Sequence, residues 1–255
     1  MQTKEYSITD KKYLVPFILI TSLFFLWGFA RAILDVLNKH FQNALHISIT
    51  HSALIQVTTY LGYFLMAIPA GFFINRYGYR RGVVFGLLLF GLGSLLFIPG
   101  AAAGSFYAFL GCLFIIGCGL VFLETAANPY VTELGAKETA TSRLNLSQSF
   151  NGLGGIFATL CIGQFLFNGT DEGGNVVIPY GILGVLVLLI AFVFSRVKLP
   201  EIQHARTRED RAKGSNISKL FANHKMFVLG LIALLSYEVA EISINSYFIN
   251  FVTGM

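Results

Sequence analysis

Long apolar stretches separated by short polar breaks dominate this chain. Seven of them approach or exceed the roughly 18–20 residues needed to cross a hydrocarbon core as a helix. They are Tyr13–Leu37, Ser52–Ile74, Gly82–Ala102, Phe106–Asn128, Leu144–Phe167, Ile178–Phe194 and Met226–Phe251. The pattern predicts an all-α membrane protein. One long polar segment interrupts it, Lys198–Lys225, with Pro200, mixed charges and Gly214-Ser215-Asn216. It reads as a linker, so the chain divides into a six-helix transmembrane bundle over 1–197, a cytoplasmic linker over 198–225 and a seventh transmembrane helix over 226–255. Basic residues alternate there with Leu199, Ile202, Ile217, Leu220 and Phe221, which keeps a membrane-surface helix open as an alternative.

Composition agrees. Apolar residues make up 55% of the chain, charged ones 12%, and the mean hydropathy is +0.68, values foreign to a soluble globular domain. The apolar run after Lys12 is too long for the h-region of a signal peptide and no small-residue cleavage site follows it. Lys4, Lys11 and Lys12, then Arg76, Arg80 and Arg81, then Lys137 and Arg143, then the basic linker all fall on one side of the predicted spans. The other side carries Lys39, with Asp171 and Glu172. The positive-inside rule therefore predicts a cytoplasmic N-terminus and an external C-terminal end. The net charge of +5 is a topology signal, and no nucleic-acid surface is expected. Cys112, Cys118 and Cys161 lie within spans, where they read as buried packing thiols with no disulfide framework. His40, His46, His51, His204 and His224 form no metal-binding or hydrolytic pair. No cofactor or metal is expected, and no enzyme motif stands out.

The first six spans read as two related halves. Leu54-Ile55-Gln56 with Leu61-Gly62 in span 2 matches Leu146-Ser147-Gln148 with Leu153-Gly154 in span 5. Phe25-Leu26 with Ala30 in span 1 matches Phe122-Leu123 with Ala127 in span 4. A three-helix unit has odd parity, so its second copy runs inverted, an arrangement that places binding sites near the midplane of transporters.

Charged groups inside spans are costly, roughly 2.5–3.5 kcal/mol for a central carboxylate, and usually serve a cavity. Glu124 ends an unbroken apolar run, and Asp35 lies toward the outer end of span 1, one turn beyond Arg31. Arg31 and Asp35 read equally well as an ion pair within the helix or as a proton-linked pair. Glu124 is eleven residues before the loop Gly135–Thr141 and Asn151 ten after it, so both sit ~15 Å deep on antiparallel neighbours. Asn128 shares a face with Glu124, and Gln148 with Asn151. These four side chains are expected to converge on one cavity, with polar helix–helix glue as the alternative use. Span 7 adds Glu238, Glu241 and Asn245 on one face, expected to approach the same cavity from the other side. Trp27 or a nearby Phe is a candidate for stacking on a ligand, though an aromatic at a helix interface is more often packing.

Ser22-Leu-Phe-Phe-Leu-Trp27, Asp35, Phe122-Leu-Glu-Thr-Ala-Ala-Asn-Pro129 and Arg143-Leu-Asn-Leu-Ser-Gln-Ser-Phe-Asn151 together resemble the fucose–proton symporters of the major facilitator superfamily. The resemblance runs from span 1 to span 7. It implies the N-terminal six-helix bundle of that fold, built as 3+3 inverted repeats, plus the first helix of a second bundle. It implies that Asp35 and Glu124 are the proton-linked carboxylates and that Gln148 and Asn151 contact sugar hydroxyls. Asn128, Glu238, Glu241 and Asn245 join them as candidate substrate-binding residues. Arg31 stands where the fucose carriers have an amide and Glu241 where they have Gln. Ala240-Glu241-Ile242-Ser243-Ile244 is similar instead to the glucose/galactose branch. Of the superfamily signature between helices 2 and 3, Gly71, Arg76, Gly78 and Arg80 fit, while Asn75 and Tyr79 depart from it.

The resulting expectation is a proton-coupled sugar symporter, for L-fucose or a related hexose, in a bacterial inner membrane. Its partners would be sugar, protons and lipid. A second six-helix bundle would complete the site, so the 255 residues alone are expected not to complete a transport cycle. A proton-driven drug or organic-ion exchanger and a non-transporting membrane scaffold are the rivals. The first prefers an apolar site with few amides, and the second has no need of carboxylates at matched depth.

Overall fold

The computed structural model describes residues 7–44, 47–103, 105–167, 177–197 and 224–253. Among them the chain is helical throughout, with no strand: α1 Leu14–Ala44, α2 Ile49–Tyr77, α3 Tyr79–Leu95, α4 Phe97–Ala102, α5 Phe106–Glu133, α6 Ala140–Phe167, α7 Val177–Arg196 and α8 Lys225–Thr253. The predicted linker lies largely outside the described residues, as do His204, Asp171 and Glu172. The chain separates into two compact units, one holding α1–α7 and the other α8, and α8 is described by itself.

Helix ends follow local chemistry. Ser48 caps α2 by accepting from the His51 backbone N–H at 3.2 Å, so that helix begins three residues before the predicted span. It ends at Gly78, whose φ of 87° suits a residue without a Cβ. Predicted span 3 is broken between Leu95 and Phe97. Pro99 has no N–H to give the Leu95 carbonyl, which interrupts the ladder there. Among the described residues, six helical segments are apolar and long enough to cross a membrane.

Within the first unit, α5 is buried along most of its length and packs against both α2 and α3, while α1 lies against α6 and α3 against α7. Phe97 stacks on Tyr180 at 4.0 Å between centroids, tying α4 to α7. Large apolar side chains such as Phe72, Ile156, Leu160, Ile182 and Leu189 point outward, a surface suited to lipid. The chain is a multi-pass membrane protein.

Close backbone crossings set the helix register. A Cβ at Gly28 of α1 would stand 1.9 Å from the Asn151 carbonyl oxygen of α6, and one at Gly154 2.1 Å from that of Phe25. The crossing of α5 with α2 repeats this. A Cβ at Gly117 would meet the Thr59 carbonyl oxygen at 2.4 Å, and one at Gly62 that of Phe114 at 2.8 Å. The expected match of span 2 to span 5 through Leu61-Gly62 and Leu153-Gly154 therefore agrees with the packing. The expected match of span 1 to span 4 does not. Phe25 corresponds to Phe114, two turns earlier than Phe122, because carbonyl–glycine contact fixes the register and the shared Phe-Leu and Ala residues do not.

Candidate functional site

Glu124 and Asn128 stand one turn apart on α5, each half-buried. They line a cleft of about 550 Å³ together with Val121, Thr125 and Pro129 of the same helix and Tyr63, Phe64 and Ala67 of α2. Pro129 belongs to this geometry, since it has no N–H for the Thr125 carbonyl in the cleft wall. The Tyr63 hydroxyl accepts a hydrogen bond from the Trp27 indole Nε1 at 3.1 Å, and Glu124 and Arg31 are close enough for their charges to act on it. Trp27 is buried and meets Phe24 edge-on.

The two amides of α6 diverge. Gln148 Nε2 donates to Asn128 Oδ1 at 3.4 Å, which brings it to the rim of the cleft. Asn151 Nδ2 donates to the Phe24 carbonyl at 3.3 Å, so that amide ties α6 to α1 and does not line the cleft. One turn below, Thr21 and Ser147 share a buried hydrogen bond of 3.0 Å. Glu124, Asn128 and Gln148 thus come together as expected, and Asn151 faces a different helix. Of Asp35 only the backbone is described, in α1. Arg31 is half-buried. In α8, Glu238 and Glu241 are half-buried and Asn245 exposed.

Tyr63 is the site residue the sequence reading passed over. An aromatic inside an apolar run looks like packing, and its only signal is a hydroxyl at mid-span. Three further expectations change. Cys161 is exposed while Cys112 and Cys118 are buried, so the thiols are not uniformly interior. Arg80, read from topology alone, donates from Nε to the Phe194 carbonyl at 3.2 Å and from Nη2 to that of Ser195, capping α7. Arg143, taken as a loop charge, is fully buried.

Residues 20–255 match the Major Facilitator Superfamily. The chain is similar to a glucose/galactose transporter of Brucella abortus, 36% identical over 96% of this chain and 60% of that protein. It is similar to an L-fucose-proton symporter of Haemophilus influenzae, 38% identical over 77% of this chain and 52% of the relative. Among solved structures it resembles FucP in the outward conformation, with a TM-score of 0.66 and 34% identity over 81% of this chain and 57% of that one. The inward-open xylose transporter XylE of Escherichia coli, at 14% identity and a TM-score of 0.60, shares the fold. This chain belongs to the Major Facilitator Superfamily, a family of membrane transporters. It spans about half to two thirds of the curated relatives it matches.

Proposed function

We propose that this chain forms the N-terminal bundle, with its linker and the first helix of a second bundle, of a proton-coupled sugar symporter. It would work by alternating access in a bacterial inner membrane, N-terminus in the cytoplasm. The observation that carries this reading is the grouping of Glu124, Asn128 and Gln148 at one cleft. An amide offers both donors and acceptors, which suits sugar hydroxyls that are themselves both. A carboxylate only accepts when ionised and gains a donor when protonated. Proton uptake at Glu124 therefore changes the hydrogen bonds available to sugar and neutralises a charge held in a low-dielectric wall. By linkage, sugar that prefers the protonated site raises the site's proton affinity by the same factor.

Relatives named for L-fucose–proton symport and for glucose/galactose transport support a hexose or deoxyhexose as substrate. Asp35 is the second proton-linked candidate. Asn151, Glu238, Glu241 and Asn245 are proposed to reach the sugar path as the bundles rock, with the second bundle closing the site. The test is uptake of labelled fucose, glucose and galactose by the full-length parent in proteoliposomes under an imposed pH gradient. Glu124→Gln is expected to abolish accumulation and spare exchange of sugar for sugar. Accumulation by that variant at the wild-type level would remove Glu124 from the coupling.

A further inference from the structure

Pro129 closes the Leu-Glu-Thr-Ala-Ala-Asn-Pro run and lies inside α5, where proline is the most costly residue a helix can hold. It has no N–H to give the Thr125 carbonyl, and its ring crowds that oxygen. A helical carbonyl points along the axis at the residue four ahead, and Thr125 and Pro129 both line the Glu124 cleft. The uncovered oxygen therefore belongs to the cleft wall. Inside a membrane such an oxygen needs another partner, which a Ser or Thr hydroxyl, a neighbouring helix or an ordered water can supply. The two threonines nearest the break are committed elsewhere. Thr125 Oγ1 donates to the Val121 carbonyl at 2.7 Å, and Thr132 Oγ1 to that of Pro129 at 2.7 Å. Among the described residues no side chain donates to the Thr125 carbonyl. Its partner then comes from whatever fills the cleft.

The other polar groups of the cleft define what that partner must be. The Tyr63 oxygen accepts from the Trp27 indole, which leaves its O–H to donate. Asn128 Oδ1 accepts from Gln148, which leaves the Asn128 Nδ2 group to donate. Thr125 supplies the complement, an acceptor fixed in the backbone. Glu124 changes its hydrogen-bonding role with its proton, whereas a backbone carbonyl accepts in every state.

We propose that the Thr125 carbonyl, uncovered by Pro129, is a substrate contact that accepts a hydrogen bond from one hydroxyl of the bound sugar. This deepens the sugar-symporter reading above and rests on it. An acceptor of this kind determines specificity, because a sugar lacking that hydroxyl leaves the oxygen unpaired in the closed site. It also gives the proline a purpose. Only a residue without an N–H keeps a helical carbonyl available while the helix continues past it.

The experiment measures binding by calorimetry on the full-length parent. It uses whichever of fucose, glucose and galactose the wild type binds, together with the monodeoxy analogues of that sugar. Pro129→Ala supplies the missing N–H and takes the Thr125 carbonyl back into the helix. The intact sugar is then expected to bind roughly 5- to 150-fold more weakly, the range for a buried hydroxyl left without its acceptor. One monodeoxy analogue, lacking the hydroxyl concerned, should bind wild type and Pro129→Ala within about twofold of each other. A change in helix bend alone would weaken all the analogues together. Lactic acid placed at position 129 by nonsense suppression has the side chain of alanine but, as an ester, no N–H. It should keep the wild-type order of affinities. Pro129→Gly supplies the same N–H as alanine and carries the test if the alanine variant fails to fold. Wild-type affinity for the intact sugar in Pro129→Ala or, failing that, Pro129→Gly overturns the proposal. So does an equal loss for every analogue, or an equal loss with lactic acid at 129. A wild type that binds none of the three sugars would instead defeat the sugar reading, and this contact with it.

Discussion

Two polar clusters lie along α6 and are built in opposite ways. Near its first turn, Arg143 is fully buried and every one of its five N–H groups has an acceptor. Nε donates to the Val131 carbonyl at 3.0 Å, Nη1 to that of Ile8 at 2.9 Å and to Thr139 Oγ1 at 2.7 Å, and Nη2 to the carbonyls of Thr132 and Ala136. Thr9 Oγ1 closes the same knot on the Leu134 carbonyl at 2.7 Å. Gly135 makes room for it, since a Cβ there would stand 2.7 Å from Nη1. The Glu124 cleft is the reverse. It is half-buried, beside about 550 Å³ of space, with a long 3.4 Å amide–amide bond at its rim. A saturated buried network fixes one structure. A polar-lined cavity leaves room for something that comes and goes.

Arg143→Met tests that contrast most severely. It removes five hydrogen bonds from the joint between α5, α6 and the N-terminal segment, although the Ile8, Val131 and Ala136 carbonyls each keep another donor. At about 1.5–3 kcal/mol for a hydrogen bond to a charged group, the loss should reach several kcal/mol and appear as failed folding or a collapsed thermal midpoint in detergent. Lysine, with three donors on a point charge, should recover only part. Glu124→Gln should do the opposite, removing proton-driven accumulation while changing the thermal midpoint far less than Arg143→Met, since the amide is isosteric with the carboxyl. A comparable loss of stability in both variants would erase the distinction between the clusters.

The difference in legibility has the same root. The helices were readable because lipid demands long apolar runs, and Glu124, Asn128 and Gln148 were readable because polar groups in such runs are costly. The Arg143 knot was not, because four of its five acceptors are backbone carbonyls, which any sequence possesses. Only the folded path of residues 131–136 and of Ile8 aims them at one guanidinium. The helix register was half-legible. Gly62 and Gly154 advertise a close approach, whereas Phe25-Leu26 matched Phe122-Leu123 by composition in helices rich in both. Depth alone does not decide which neighbour an amide faces, and Asn151 turned to the Phe24 carbonyl. The break before Phe97 was foreshadowed by Pro99.

Gln148→Ala sharpens the description of the cleft as open. If Gln148 serves sugar hydroxyls, its loss leaves a buried hydroxyl unpaired and weakens binding by about 1–3 kcal/mol, roughly 5- to 150-fold. Its existing bond to Asn128, at 3.4 Å, is too long to contribute much to folding. Calorimetry on the full-length parent should therefore show weakened sugar affinity with an unchanged thermal midpoint. The reverse pattern would move Gln148 to the structural side, alongside Arg143.

Tyr63→Phe carries the smallest expected effect and tests where the open cluster stops. The phenol ring packs near Tyr60, with centroids 5.8 Å apart, and phenylalanine keeps that contact. What disappears is the oxygen that accepts from the Trp27 indole and stands within reach of the Glu124 charge. Losing one neutral hydrogen bond costs about 0.5–1.5 kcal/mol, an effect that a thermal scan should resolve. Trp27 is the only tryptophan in these 255 residues. In a parent with any other tryptophans replaced, its emission should therefore respond to the lost acceptor. If the hydroxyl belongs to the open site, that emission in the wild type should also depend on sugar and on pH, and Tyr63→Phe should blunt both responses. Emission indifferent to sugar and pH in the wild type would make the Trp27–Tyr63 bond one more piece of packing, and the cleft would end at Glu124.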